Sequence, residues 1–177
     1  IEERYDCGNV HFSYVDMTLN IGDGSHTFRI DRLLHVDGRK RPLIIVNNFH
    51  HMEDSHYFPR EEMSEYDVDF LMFCYKDISS DDGDFSTGIA PLLLPDGQKT
   101  DDTCGKIGIW AWAAMRVLDY ALTLPSTDGD NVMISGHSRL GKTALLAGAL
   151  DERFYCAFSN NSGCSGAAIS REKDGET

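Results

Sequence analysis

Proline is scarce, with 5 in 177 residues, and no segment is repetitive or of low complexity. That excludes a collagen-like or disordered chain. Hydrophobic residues at 41% and charged residues at 25% fit a globular domain long enough to bury one sizeable core. Positive charge is also in short supply: 16 Lys plus Arg face 29 Asp plus Glu, for a net charge of −13. A phosphate backbone would repel such a chain, so no nucleic-acid partner is expected. No apolar run reaches the roughly 18 residues of a membrane span, so no membrane partner is expected either. The 5 cysteines (Cys7, Cys74, Cys104, Cys156 and Cys164) include no C-x-x-C pair, which argues against a zinc site. One or two disulfides and isolated thiols both fit that set. The chain opens on Ile1 without a signal-like segment, which fits a removed leader or a piece of something longer.

What is present begins as β structure. Residues 10–21 and 26–36 alternate apolar with polar side chains around the turn cluster Gly22-Asp23-Gly24-Ser25, so two antiparallel strands are expected. Residues 43–46 and 68–75 are continuous apolar runs, the pattern of strands buried on both faces. Residues 77–105 read as loop, and the close-set Asp77, Asp81, Asp82 and Asp84 lack calcium-loop spacing and are read as solvated. His50, His51 and His56, with Glu53 and Asp54, could hold a metal, but a plain surface or cleft-rim loop is the better reading. Residues 107–122 form a helix by their i, i+3, i+4 spacing. That spacing makes Trp110 and Trp112 core residues rather than a sugar platform. Residues 131–135 are a strand, 142–150 a helix and 154–159 a strand. Strands alternating with helices call for an α/β fold with a mostly parallel sheet.

The turn G-H-S-R-L-G-K-T, from Gly136 to Thr143, fits two motifs that predict different proteins. One is the phosphate-binding loop, G-x-x-x-x-G-K-[ST], in which Lys142 would reach phosphates and Thr143 would hold magnesium. Its match is complete, but no later strand ends in the Asp that magnesium needs. The other is a nucleophile elbow with Ser138 at its tip and Gly136 two residues before. Its usual second glycine, two after the serine, is Leu140 here, with Gly141 one place later.

The wider sequence decides between them. Gly136, Ser138, Arg139, Gly141 and Lys142 spell G-x-S-R-x-G-K, and A-L-L-A-G-A-L-D-E-R-F and S-N-N-S-G-C-S-G-A-A-I-S-R follow. These segments, the Trp helix and residues 70–84 resemble the glucuronoyl esterases, carbohydrate esterase family 15, over most of residues 43–177. The resemblance implies an α/β-hydrolase fold, a mostly parallel sheet flanked by helices with antiparallel N-terminal strands. It implies Ser138 as nucleophile, Arg139 as oxyanion stabiliser and Lys142 as the residue that binds hydroxyls of the glucuronoyl ring. No metal or cofactor is implied. His137 stands where fungal members carry a disulfide cysteine, which points to the bacterial branch. Asn161 occupies the position of the fungal triad acid, and an amide cannot stabilise an imidazolium as a carboxylate does.

No base is available in the expected order. Such triads run Ser, acid, His, yet all 7 histidines precede Ser138. His137, adjacent on a tight turn, is a poor candidate. Residues 1–177 are therefore read as the N-terminal portion of one catalytic domain, with acid and histidine supplied by a C-terminal segment or chain. The expected function is ester hydrolysis through an acyl-enzyme, on ester bonds between lignin and glucuronic acid on xylan, in a secreted or periplasmic enzyme. A nucleotide-binding protein, an acetyl-xylan-type esterase and a non-catalytic carbohydrate-binding relative are the alternatives.

Overall fold

The two kinds of hydrophobic pattern, alternating and continuous, become the two halves of one seven-stranded sheet. A computed structural model describes residues 2–55, 58–94, 98–169 and 171. Strands β1 (Glu2–Cys7), β2 (Val10–Ile21) and β3 (Gly24–His35) pair antiparallel. Gly22, at φ 56°, takes the positive-φ corner of the tight β2–β3 turn. Three antiparallel strands thus stand where two were expected. Strands β4 (Arg41–Asn48), β5 (Asp69–Cys74), β6 (Thr127–His137) and β7 (Cys156–Asn160) run parallel, in the order β1-β2-β3-β5-β4-β6-β7. Every residue of β5 is buried, which is why its run is apolar without alternation.

Two helices cover one face. Helix α4 (Lys106–Ala121) and helix α5 (Arg139–Leu150) press Ile109, Trp110, Val117, Leu118, Leu140, Ala144 and Ala147 onto Leu43, Ile45, Leu71, Phe73, Val132 and Ile134. A 12- or 16-residue helix is marginal alone in water, and burial of about 1.5–3 kcal/mol per large apolar side chain holds it. Trp110 is core, 1% exposed. Trp112 is partly buried against the same cluster, with the Arg116 guanidinium carbon 5.4 Å from its ring centre. The opposite face carries a smaller cluster of Val10, Phe12, Leu33, Met52, Phe70 and Met72.

The segment expected to be loop over 77–105 contains the end of a one-turn helix α2 (Tyr75–Ile78) and a second one, α3 (Ala90–Leu93). An earlier short helix, α1 (Arg60–Met63), precedes β5. Cys74, Cys104, Cys156 and Cys164 are free thiols, and the Cys7 side chain lies outside the described residues. Among the described residues no helix is long and apolar enough to cross a membrane. The parallel strands end together at Asn48, Cys74, His137 and Asn160, and that rim carries the site.

Candidate active site

A single residue, Ser138, separates β6 from α5. The turn expected over Gly136 to Gly141 is therefore much shorter, because β6 runs on through His137 and α5 starts three residues early. Ser138 takes φ 56° and ψ −126°, a backbone region that disfavours side chains by about 1–3 kcal/mol. Several bonds hold it there. Its N–H donates to the Asn160 carbonyl at 2.8 Å, and its own carbonyl accepts from the N–H groups of Gly141 (2.9 Å) and Lys142 (3.3 Å).

Two glycines make the turn close. A β-carbon on Gly136 would stand 2.2 Å from the Leu140 carbonyl oxygen. One on Gly141 would meet Ser159 Oγ, the Gly136 carbonyl and Ser162 Cβ at 3.0–3.1 Å. Leu140, in the place of the usual second glycine, points into the core and is fully buried. Gly141 therefore fills that role, one residue later, because that is the position of α5 that meets the ends of β6 and β7.

The same geometry removes the phosphate-loop alternative. Such a loop needs several residues whose N–H groups turn towards one anion. Here α5 already begins at Arg139, and the Ser138 N–H is taken by Asn160. Thr143, which would hold magnesium, is fully buried and donates its hydroxyl to the Arg139 carbonyl at 3.2 Å.

Arg139 and Lys142 lie in the first turn of α5, Arg139 exposed and Lys142 half-buried. As the first helical residue, Arg139 has an N–H with no acceptor inside the helix, so it is available to an anion beside Ser138. Its guanidinium Nη1 pairs with the Asp81 carboxylate. The acidic segment is thus not simply solvated. Asp81 reaches α5, Asp77 meets His51 at 3.1 Å, and the Asp84 carbonyl accepts from Lys106. Neither the Asp81 contact nor the aromatic buttress of the rim was legible from spacing. In that buttress Phe49 packs edge-on against Tyr75 (5.6 Å between ring centres) and His137 (6.4 Å), and Tyr75 packs on Trp110 (5.0 Å).

The histidine-rich segment after β4 is a clamp at the rim. His51 Nδ1 lies 3.3 Å from Asp31 Oδ2, and Nε2 lies 3.1 Å from Asp77 Oδ2. These carboxylates, Asp31 first, push the His51 pKa up to about 9, so the ring between them is an imidazolium at neutral pH. Burial works against the charge of Asp31. The His51 ring beside it, the Met52 N–H that donates to Oδ2 at 2.7 Å and the Arg29 guanidinium outweigh burial and hold the carboxyl below its usual range. Glu53 turns to Arg29 at 3.0 Å, and His56 lies outside the described residues.

Beside the elbow, Asn161 is exposed at φ 48° on a hollow of about 470 Å³, lined by Ser159, Ser162, Gly163, Ala167 and Ala168 as well. Among the described residues no histidine hydrogen-bonds Ser138. His137 is exposed at the end of β6, against Phe49.

Known proteins share the sequence pattern and the fold. The family model described as glucuronyl esterase, fungi, matches residues 41–177. A carbohydrate esterase from an unknown prokaryotic organism is 51% identical over 73 residues, 41% of this chain and 17% of that protein. A 4-O-methyl-glucuronoyl methylesterase of Hypocrea jecorina is 34% identical over 74 residues, 41% of this chain and 16% of that protein. Among solved structures, a family 15 glucuronoyl esterase from Teredinibacter turnerae superposes with a TM-score of 0.84 at 25% identity, over 99% of this chain and 47% of its own. A glucuronoyl esterase from Solibacter usitatus gives 0.78 at 27% identity, over 93% and 50%. The chain thus spans about half the length of the solved structures it matches. The sheet is that of an α/β-hydrolase with antiparallel N-terminal strands, and the chain belongs to the glucuronoyl esterases of carbohydrate esterase family 15.

Proposed function

We propose that residues 1–177 form the nucleophile-bearing part of a serine esterase that hydrolyses esters of glucuronic acid. The observation that carries this reading is Ser138, held at positive φ on the one-residue turn between β6 and α5, with Arg139 and Lys142 directly after it. The relative from Hypocrea jecorina is named a 4-O-methyl-glucuronoyl methylesterase, which supports the substrate class.

Ser138 Oγ attacks the ester carbonyl while a base takes its proton. The carbonyl oxygen becomes an oxyanion, met by the Arg139 N–H and guanidinium. Each well-aimed donor is worth about 3–4 kcal/mol of barrier. The alcohol leaves with the proton, and water then cleaves the glucuronoyl-serine to free the acid and regenerate the serine. Lys142 binds ring hydroxyls. The base and its acid come from outside these residues, since all 7 histidines precede Ser138 in the chain. The natural substrate is the ester between glucuronic acid on xylan and a lignin alcohol, and the enzyme works outside the cytoplasm, as polymer substrates require.

The test is hydrolysis of methyl glucuronate by the complete protein. Activity that Ser138→Ala abolishes is the expected result. Cleavage of acetylated xylan but not of the glucuronate ester would replace the substrate class, and full activity in Ser138→Ala would overturn the nucleophile.

A further inference from the structure

Arg139 carries a job in the proposed reaction that depends on aim, yet its side chain is half exposed and long enough to wander. Its restraint comes from Asp81 on the segment that follows α2. That segment is anchored far more firmly than an exposed carboxylate needs. From below, Lys106 Nζ donates to Ser79 Oγ at 2.8 Å and to the Asp84 carbonyl. Its ammonium also lies 4.5 Å from the Phe85 ring centre. Trp110 Nε1 donates to the Ser79 carbonyl at 3.0 Å. Both anchors come from the first two turns of α4, and they grip the segment on either side of Asp81.

The neighbouring carboxylates are used differently. Asp82 Oδ1 accepts from the Ser80 hydroxyl (2.8 Å) and the Asp84 N–H (2.9 Å), and Asp84 accepts from the Ser86 N–H and hydroxyl. Those contacts shape the loop itself, whereas Asp81 reaches across to α5. An anion there also offsets two cations in the first turn of a helix, where the macrodipole disfavours them.

We propose that Asp81 is a positioning residue for Arg139: its carboxylate, held by the segment that Lys106 and Trp110 clamp, aims the guanidinium at the oxyanion formed beside Ser138. This rests on the esterase reading above. In the complete protein, Asp81→Asn should lower kcat on methyl glucuronate about 10- to 100-fold while KM changes less than about threefold. In an Arg139→Ala background the same substitution should change kcat less than about twofold, because no guanidinium remains to be aimed. Asp81→Glu should regain part of the rate. Lys106→Met, which loosens the segment without touching Arg139, should reproduce the pattern if Asp81→Asn does not fold. A kcat within about threefold of the parent, or a loss that multiplies onto that of Arg139→Ala, would overturn the proposal. A parent protein inactive on the ester would refute the esterase reading alone. The pairing is then read by ¹⁵N NMR, where guanidinium N–H signals of Arg139 should exchange slowly in the parent and fast in Asp81→Asn. Equal exchange would overturn the pairing.

Discussion

The N–H of Ser138 donates to the carbonyl of Asn160 across 2.8 Å, so the tip of the elbow is hydrogen-bonded to the end of the neighbouring strand β7. The position of Ser138 therefore depends on two strands and not on its own turn alone. That dependence makes the elbow sensitive to small changes around it.

Gly136→Ala should be the most damaging of these. The added methyl would stand 2.2 Å from the Leu140 carbonyl oxygen, and backbone cannot swing aside as a flexible side chain can. A loss of about 2–4 kcal/mol is expected in denaturant unfolding of the complete protein. Gly83→Ala, where an added β-carbon meets nothing within 4 Å, should change stability by less than about 0.5 kcal/mol. Equal effects of the two substitutions would contradict the close approach.

Ser138→Gly should separate stability from function. Glycine accepts φ 56° without a clashing β-carbon, so the variant should be more stable than the parent by about 1 kcal/mol while losing ester hydrolysis. A calorimetric melting temperature below that of the parent would show that the serine is not strained.

The His51 clamp should make stability fall on the alkaline side. Its pKa is about 9 in the folded chain against 6.5 for the free side chain, so its contribution is complete below about pH 6.5. That contribution disappears as pH rises through 9, and the loss should be about 1–3 kcal/mol. Asp31 has the opposite sign: with its pKa lowered, its contribution is present above the free carboxyl value and is lost in acid. Unfolding titrations from pH 6 to 10 should slope downward in the parent and be flatter in His51→Gln. Identical slopes would remove His51 from the account.

Much of the frame was legible in the chain. Alternation over residues 10–21 and 26–36 announced the β2–β3 pair, and unbroken apolar runs announced β4 and β5. The i, i+3, i+4 spacing announced α4. These patterns are local, because periodicity reports which face of an element must leave water. β1 was missed because E-E-R-Y-D-C has little apolar content and exists through pairing with β2. The elbow pattern was met in part and the phosphate-loop pattern in full; the wider family resemblance favoured the elbow, and the one-residue turn agrees with it.

Residue types along the chain were enough for the fold class, the family resemblance, and Ser138, Arg139 and Lys142 as candidates. Tertiary structure alone decided that Gly141 and not residue 140 relieves the elbow, that Asp81 meets Arg139, and that His51 lies between Asp31 and Asp77. Each of these joins residues from different elements. Periodicity records burial within one segment, but a hydrogen bond, an ion pair or a steric contact depends on where a second segment arrives. That arrival is set by the sheet order and helix packing, which no local pattern specifies.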